Sequence, residues 1–516
     1  MPNLFQGSLL ALLVSLAIIL VVRRPGKSSL DNIPGPRRLP VVGNLFSLPN
    51  REEWVHFAKW GKTFGDVYAV YVFSKPMIML SSRKAIVDLF EHRSGIYSNR
   101  PHLVMANELR ACMGWGETVV LMPYGDRFKN YRRLLKIGLN PSATTLYWPL
   151  MEQEVAKSLK RLIDNPADFV GNFRRTAGTV ALKIAYGFTN ETEEFHRLLK
   201  DTERALQMFA IAALPGVFLV DTLPLLKHLP SWFPGAGFQA IGMKTRNLIQ
   251  LTIGDTFSAV KNAVSSGNHA KFGSQSFTAT LLNEDDATRS TDEDIKWVAA
   301  GLYSGEGQAD TTVAAMSNFF LCMMLFPDVQ QKAQAEIDAV IGKDRLPSIS
   351  DRDSLPYVRA VYQETLRWRP VVPMVSHSVT QDDLYRSYFI PKDTALVANI
   401  WAALHDENVY PQPDDFRPER YLAPELAPDS SSFAFGFGRR ACPGEAVANS
   451  LLFVNMACIL ATFSINKPLD QTGKVIDPTL QWTSGVTSHP HPFKCDIKPR
   501  SSITADLVRR TASLVE

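Results

Sequence analysis

Hydrophobic and polar positions divide the chain into stretches of different period. Leu4 to Val22 read LFQGSLLALLVSLAIILVV without a charge, and the run stops at Arg23-Arg24-Pro25-Gly26-Lys27. As a helix it would be about 28 Å long, close to the hydrocarbon thickness of a bilayer, which predicts a spanning anchor over residues 1–24. A cleaved signal peptide is the alternative. The charges follow the apolar run, and no small-x-small pattern precedes the arginines, so the anchor is favoured. Basic residues on that side place the body in the cytosol. IPGPRRLPVVGNL follows, and Pro34, Pro36 and Pro40 predict an extended hinge over residues 25–45. The remainder, residues 46–516, reads as one large domain.

Within that body, Glu52 to Ser98 mixes helix-period stretches with the β-rich runs VYAVYVF and PMIMLSS, which predict a small sheet. Helical patterns dominate from about Tyr124 to Phe326. After Arg369, short β-like runs such as LVANIWAAL alternate with irregular segments such as YPQPDDFRPERYLAPELAPD. The predicted class is mainly α with a smaller β portion, without solenoid repeats. The apolar, proline-punctuated stretch from Leu206 to Phe238 reads either as core or as a surface element, with Trp232 and Phe233 dipping into a lipid interface.

Composition narrows the function. At 46% hydrophobic and 21% charged residues the chain is globular, and a net charge of +4 without a long basic run excludes nucleic acid as a partner. The five cysteines, Cys112, Cys322, Cys442, Cys458 and Cys495, have no metal-finger spacing and are odd in number, which fits a reducing compartment. The Asn-Glu-Thr sequon at Asn190 would then face the cytosol and stay unglycosylated.

The densest chemistry lies in FAFGFGRRACPG, residues 433 to 444, ahead of the helix-like run EAVANSLLFVNMACILATF. Gly436, Gly438 and Gly444 permit tight turns and close approach to a flat ligand, and Arg440 offers a positive charge. Cys442 sits just before the helix, where free backbone N–H groups favour a thiolate. Phe435-x-x-Gly438-x-Arg440-x-Cys442-x-Gly444 resembles the complete haem-binding signature of the cytochrome P-450 family. The same segment formally matches a dinucleotide fingerprint at Gly436-x-Gly438-x-x-Ala441, but no strand of a βαβ unit precedes it.

The resemblance extends along the chain and implies the cytochrome P-450 fold behind one N-terminal transmembrane helix. Glu364 and Arg367, three apart on one helical face, resemble the family's Glu-x-x-Arg motif, with Arg420 as the third member of a buried structural triad. Gly307-Gln308-Ala309-Asp310-Thr311 resembles the oxygen-side helix motif, with Gln308 replacing the usual glycine. It implies proton delivery by Thr311 with resupply by Asp310. Arg132 and His377 stand where the family places haem-propionate donors, although Phe128 replaces the tryptophan that usually precedes the arginine by four residues. Tyr97 to Val120 and Leu206 to Phe238 would line or gate the pocket.

The implied cofactor is haem b, with iron on Cys442. WFPGAGF, YSGEGQADTT and FRPERYL resemble fungal microsomal members of the family, which implies a monooxygenase that inserts one atom of O2 into a hydrophobic aromatic, polycyclic or terpenoid-like substrate. Secondary metabolism or xenobiotic oxidation would be its setting. The chain has no flavin segment, P-loop or nicotinamide fold, so electrons from NADPH must come through a separate NADPH-cytochrome reductase. Lys129, Arg133, Lys136 and Arg439 could form the reductase's docking patch. Single-pass anchoring in the endoplasmic reticulum membrane, in contact with lipid, completes the expectation. An electron-independent haem-thiolate isomerase or dehydratase, or a non-catalytic haem carrier, is the alternative.

Overall fold

The run VYAVYVF folds as strand β1 (Val67–Val72), and the chain reverses into β2 (Lys75–Leu80) with a left-handed φ of 53° at Phe73. This computed structural model describes residues 30–515 except 31, 74, 109–111, 190, 213–216, 268–271, 273–275, 285–289, 303–307 and 423–425. The predicted anchor over residues 1–24, the sequon asparagine and the segment 303–307 therefore lie outside the described residues.

The chain folds into two compact units, one comprising Met1–Pro101 and Met374–Ala403, the other His102–Pro373 and Leu404–Glu516. In the first, a four-stranded sheet has the order β1, β2, β6 (Ala395–Asn399), β3 (Met374–Ser378), with β2 and β6 parallel and the other pairs antiparallel. Helix α1 (Glu53–Phe64) covers it, packing Phe57 on Tyr68, Val70 and Met79, while the Tyr68 hydroxyl donates to the Phe57 carbonyl at 2.6 Å. The part of the proline segment that is described lies along β1. The Ala69 N–H donates to the Pro34 carbonyl at 2.8 Å, and Asn44 Oδ1 accepts from the Tyr71 N–H at 2.9 Å. Prolines lack the N–H a sheet ladder needs, so the segment pairs through the carbonyls of Pro34 and Val42 and through Asn44, whose N–H donates to the Tyr71 carbonyl at 2.7 Å. A short hairpin of β4 (Asp383–Tyr385) and β5 (Tyr388–Ile390) completes the unit.

LVANIWAAL, expected to be β-like throughout, is half helix. After β6 the chain turns into a helix over Ile400–Leu404, because Asn399 Oδ1 accepts the Ala402 N–H at 3.0 Å and caps it. The cap overrides the β propensity of the run.

The second unit is built from helices. Those of twelve residues or more are α2 (Asp126–Leu139), α3 (Trp148–Asp164), α4 (Phe169–Tyr186), α5 (Glu193–Ala212), α6 (Gly237–Ile249), α7 (Asp255–Ser266), α8 (Gln308–Leu325), α9 (Pro327–Val340), α10 (Pro356–Trp368), α11 (Glu445–Thr462) and α12 (Ser502–Ser513). Strands β7 (Phe463–Asn466) and β8 (Asp496–Pro499) form an antiparallel pair. Helix α11 is apolar on nearly every side, packs against α3, α8, α9 and α10, and buries thirteen of its residues. It is long and apolar enough to cross a membrane, but 72% of it is buried inside the protein, which makes it a core helix. Against α8, Phe320 stacks on Phe169 at 5.1 Å and meets Phe173 edge-on at 5.0 Å, both from α4.

Candidate active site

Between Ser431–Ala434 and α11 the chain makes a closed loop. Gly436 and Gly438 take left-handed φ values of 78° and 52°, which a side chain at either position would oppose. These turns let the Cys442 N–H donate back to the Phe435 carbonyl at 2.7 Å. Phe433 and Phe437 pack edge to face behind the loop at 5.0 Å. Gly444 occupies the N-cap position of α11, so Cys442 lies two residues before the cap, near the positive end of the helix dipole.

A cavity of about 760 Å³ adjoins this loop, lined by Cys442, Glu445 and Asn449 together with Lys129, Arg132, Arg133 and Lys136 from α2. Of the five cysteines, Cys442 is the one on this cavity, and it is half-buried. Burial pushes the Cys112 thiol up to about 11 and that of Cys495 up to about 12, and it raises Cys322 and Cys458 as well. Burial also raises the Glu445 carboxyl, and the Asp429 charge adds to the effect.

The two arginines flanking this loop have different partners. Arg132 Nη1–H donates to the Ala441 carbonyl at 2.7 Å, tying α2 to the residue before the cysteine. Arg440 is buried. It donates to the Val119 and Met122 carbonyls at 2.8 and 2.6 Å, and its guanidinium lies 3.8 Å from the Phe128 ring centroid. Phe128, which departs from the family pattern, thus makes a desolvated cation–π contact beneath the loop. The one-dimensional sequence had offered no signal for that pairing.

Glu364, Arg367 and Arg420 come together in the interior. Glu364 and Arg367 form a fork, with Arg367 Nε–H and Nη2–H donating to the two carboxylate oxygens at 2.7 and 2.9 Å. Arg420 Nε–H and the Arg417 N–H also donate to Glu364 Oε1, at 3.1 and 2.8 Å. The remaining donors of Arg367 and Arg420 reach the carbonyls of Leu404, Pro411, Gln412 and Asp415, so this buried network ties α10 to the proline-rich segment.

Asp310 and Thr311 lie in the first turn of α8. Asp310 Oδ1 is 3.1 Å from His489 Nε2, and both residues line a second cavity of about 860 Å³ between α4, α5 and residues 483–489. Burial raises the Asp310 carboxyl, but the hydrogen bond and charge of His489, the Arg174 charge and the Thr487 hydroxyl outweigh it and leave the pKa below its ordinary value. Arg174 pairs with Glu203 at 3.2 Å in the lining of the same cavity. Sequence reasoning missed His489, whose only signal was the histidine-proline repeat in SHPHPF. His377 belongs to the other unit, where it is buried on β3 and stacks on Phe90 at 4.1 Å.

The donor set beside α11 suits haem. Haem iron needs a ligand from the protein, which the half-buried Cys442 thiol on its hydrogen-bonded loop would supply. The haem propionates need a cation, and α2 brings Arg132 to the cavity. Among the described residues no group of three or more His, Cys, Asp or Glu side chains could hold a free metal ion instead.

A largely helical body with one loop-borne cysteine before a core helix defines a haem-thiolate oxidoreductase. The family model for Cytochrome P450 matches residues 33–497, and the chain belongs to that family. It is 42% identical to Cytochrome P450 monooxygenase 208 of Postia placenta, over 95% of each chain. It is 40% identical to Cytochrome P450 monooxygenase claR of Ampulloclitocybe clavipes, over 92% of this chain and 88% of the relative, and 38% identical to Cytochrome P450 monooxygenase ple1 of Rhodocybe pseudopiperita, over 92% and 91%. Like these fungal relatives, it is an oxygen-incorporating oxidoreductase.

Proposed function

We propose that this protein is a membrane-anchored monooxygenase that inserts one atom of O2 into an apolar aromatic, polycyclic or terpenoid-like substrate, drawing electrons from NADPH through a separate reductase. Fungal secondary metabolism or xenobiotic oxidation is the setting that similarity to the fungal relatives supports. The observation that carries the reading is Cys442 on its hydrogen-bonded loop beside a cation-rich cavity.

When bound, haem supplies the redox chemistry that activates dioxygen. Cys442 would hold its iron. Phe435, Gly438, Arg440 and Gly444 shape the loop, and Arg132 and His377 would serve the propionates. Lys129, Arg133 and Lys136 form a basic surface on α2 suited to an acidic electron donor. Asp310, bonded to His489 in a cavity of its own, would resupply through water the proton that Thr311, next to it on the helix, positions. Glu364, Arg367 and Arg420 act in folding and cofactor retention. Exposed Leu219, Leu225 and Trp232 support contact with a lipid interface, as expected of a body held at the endoplasmic reticulum membrane facing the cytosol.

The test is the carbon-monoxide difference spectrum of the reduced protein. We expect the far-red-shifted Soret band of thiolate ligation, and its disappearance in Cys442→Ala with the chain still folded. A haem-loaded wild-type protein without that band removes Cys442 as the ligand. Substrate turnover that ignores NADPH and reductase points to the isomerase or dehydratase alternative.

A further inference from the structure

We propose that the cleft between α3 and α4 is a binding site for a phosphate dianion, independent of the cysteine loop and of the oxygenase reading. Its cavity, about 310 Å³, is lined by Lys157, Lys160, Arg161, Arg175 and Glu191, so every lining side chain is ionisable and four of the five are cationic.

The charge balance leaves room for an anion. Lys157 and Lys183 share Glu154, at 3.2 and 2.7 Å. Lys160 pairs with Asp164 at 3.2 Å, and Arg175 with Glu191 at 2.7 Å. Among the described residues, four cations and one carboxylate, Glu191, thus face the cleft itself. Arg161 is a lining cation without a direct ion pair among the described residues. Among the described residues no carboxylate comes within ion-pair distance of it, and its bonds run to neutral groups: Nε–H to Asn172 Oδ1 at 2.7 Å and Nη2–H to Thr176 Oγ1 at 3.0 Å. Burial and the like charge of Arg175 press its pKa down, and the charges of Glu154 and Glu191 only partly offset them.

The platform beneath Arg161 is rigid. Asn172 and Thr176 are buried on α4, and Asn172 Nδ2 donates in turn to the Ser158 carbonyl of α3 at 2.8 Å. The guanidinium is thereby oriented before any ligand arrives, which lowers the entropy lost on binding. A half-buried guanidinium beside the Lys157 and Lys160 ammonium groups matches a tetrahedral dianion, which offers several acceptor oxygens and two charges. Chloride matches neither the fork nor the charge. The phosphate could belong to a soluble phosphomonoester or to the headgroup of an anionic lipid.

The test uses the full-length holoenzyme in detergent, titrated calorimetrically with inorganic phosphate in a chloride buffer of matched ionic strength. We expect saturable binding that weakens about tenfold or more in Arg161→Gln and stays unchanged in Arg509→Gln, a surface control. Arg161→Lys keeps the charge but loses the fork, so it should bind with intermediate affinity, which guards against misreading a folding defect. An unaltered haem spectrum certifies each variant as folded. Absence of saturable binding, or equal binding by wild type and a folded Arg161→Gln, overturns the proposal. Flotation with vesicles of phosphatidylcholine, with and without phosphatidic acid, separates the sources: Arg161-dependent gain with phosphatidic acid assigns the lipid headgroup, and phosphate binding without that gain assigns a soluble ligand.

Discussion

Single side chains decide the chemistry. Burial raises the pKa of four of the five thiols, and a closed loop keeps the fifth, Cys442, on a cavity at the start of a helix. Asp310 owes its low pKa to His489, a contact between residues far apart in sequence. A carboxyl whose folded pKa lies below its ordinary 3.8 adds stability above that value and loses it as pH falls through the folded pKa. Asp310→Asn should therefore lower the apparent Tm near pH 6, with the deficit closing below about pH 4. The side chain is 37% exposed, so screening keeps the effect below about 1 kcal/mol. Melting curves across that pH range check the sign, and a deficit that grows on acidification contradicts it.

Elements are fixed by networks that bridge segments. Glu364 pairs with two arginines buried in the same network, and it also receives the Arg417 N–H. Glu364→Gln would leave those guanidinium charges uncompensated, and we expect destabilisation of about 3–5 kcal/mol with loss of retained haem. Denaturant unfolding and the haem-to-protein ratio on purification measure both. The motif Glu-x-x-Arg was legible as a helical i, i+3 pair, whereas the carbonyls that complete it come from a proline-rich segment with no periodicity to read. Likewise the β pattern in LVANIWAAL concealed a helix start, because an Asn cap depends on a local bond that hydropathy does not register.

At the scale of the whole molecule, the stretch from Leu206 to Phe238 resolves an ambiguity between core and surface. Leu225 is 82% exposed and Trp232 79%, which excludes a wholly buried role for it. Leu225→Ser combined with Trp232→Ser should weaken vesicle binding by protein lacking residues 1–24 about tenfold, as flotation can show. Equal flotation by both proteins would remove this stretch from the membrane contact.

The sequence by itself determined the family, the iron-ligating cysteine as an expectation, the predominance of helix and the small sheet near Val67 to Leu80. These are local properties: a glycine-flanked cysteine ahead of an apolar helix, and periods of two or 3.6, survive in one dimension. Only the tertiary structure decided that Arg440 lies on Phe128, that Asp310 meets His489, and that Arg161 bonds to Asn172 and Thr176 in a cleft with Lys157, Lys160 and Arg175. Each depends on which distant segments pack together, and packing is a property of the folded chain that no short stretch of residues encodes.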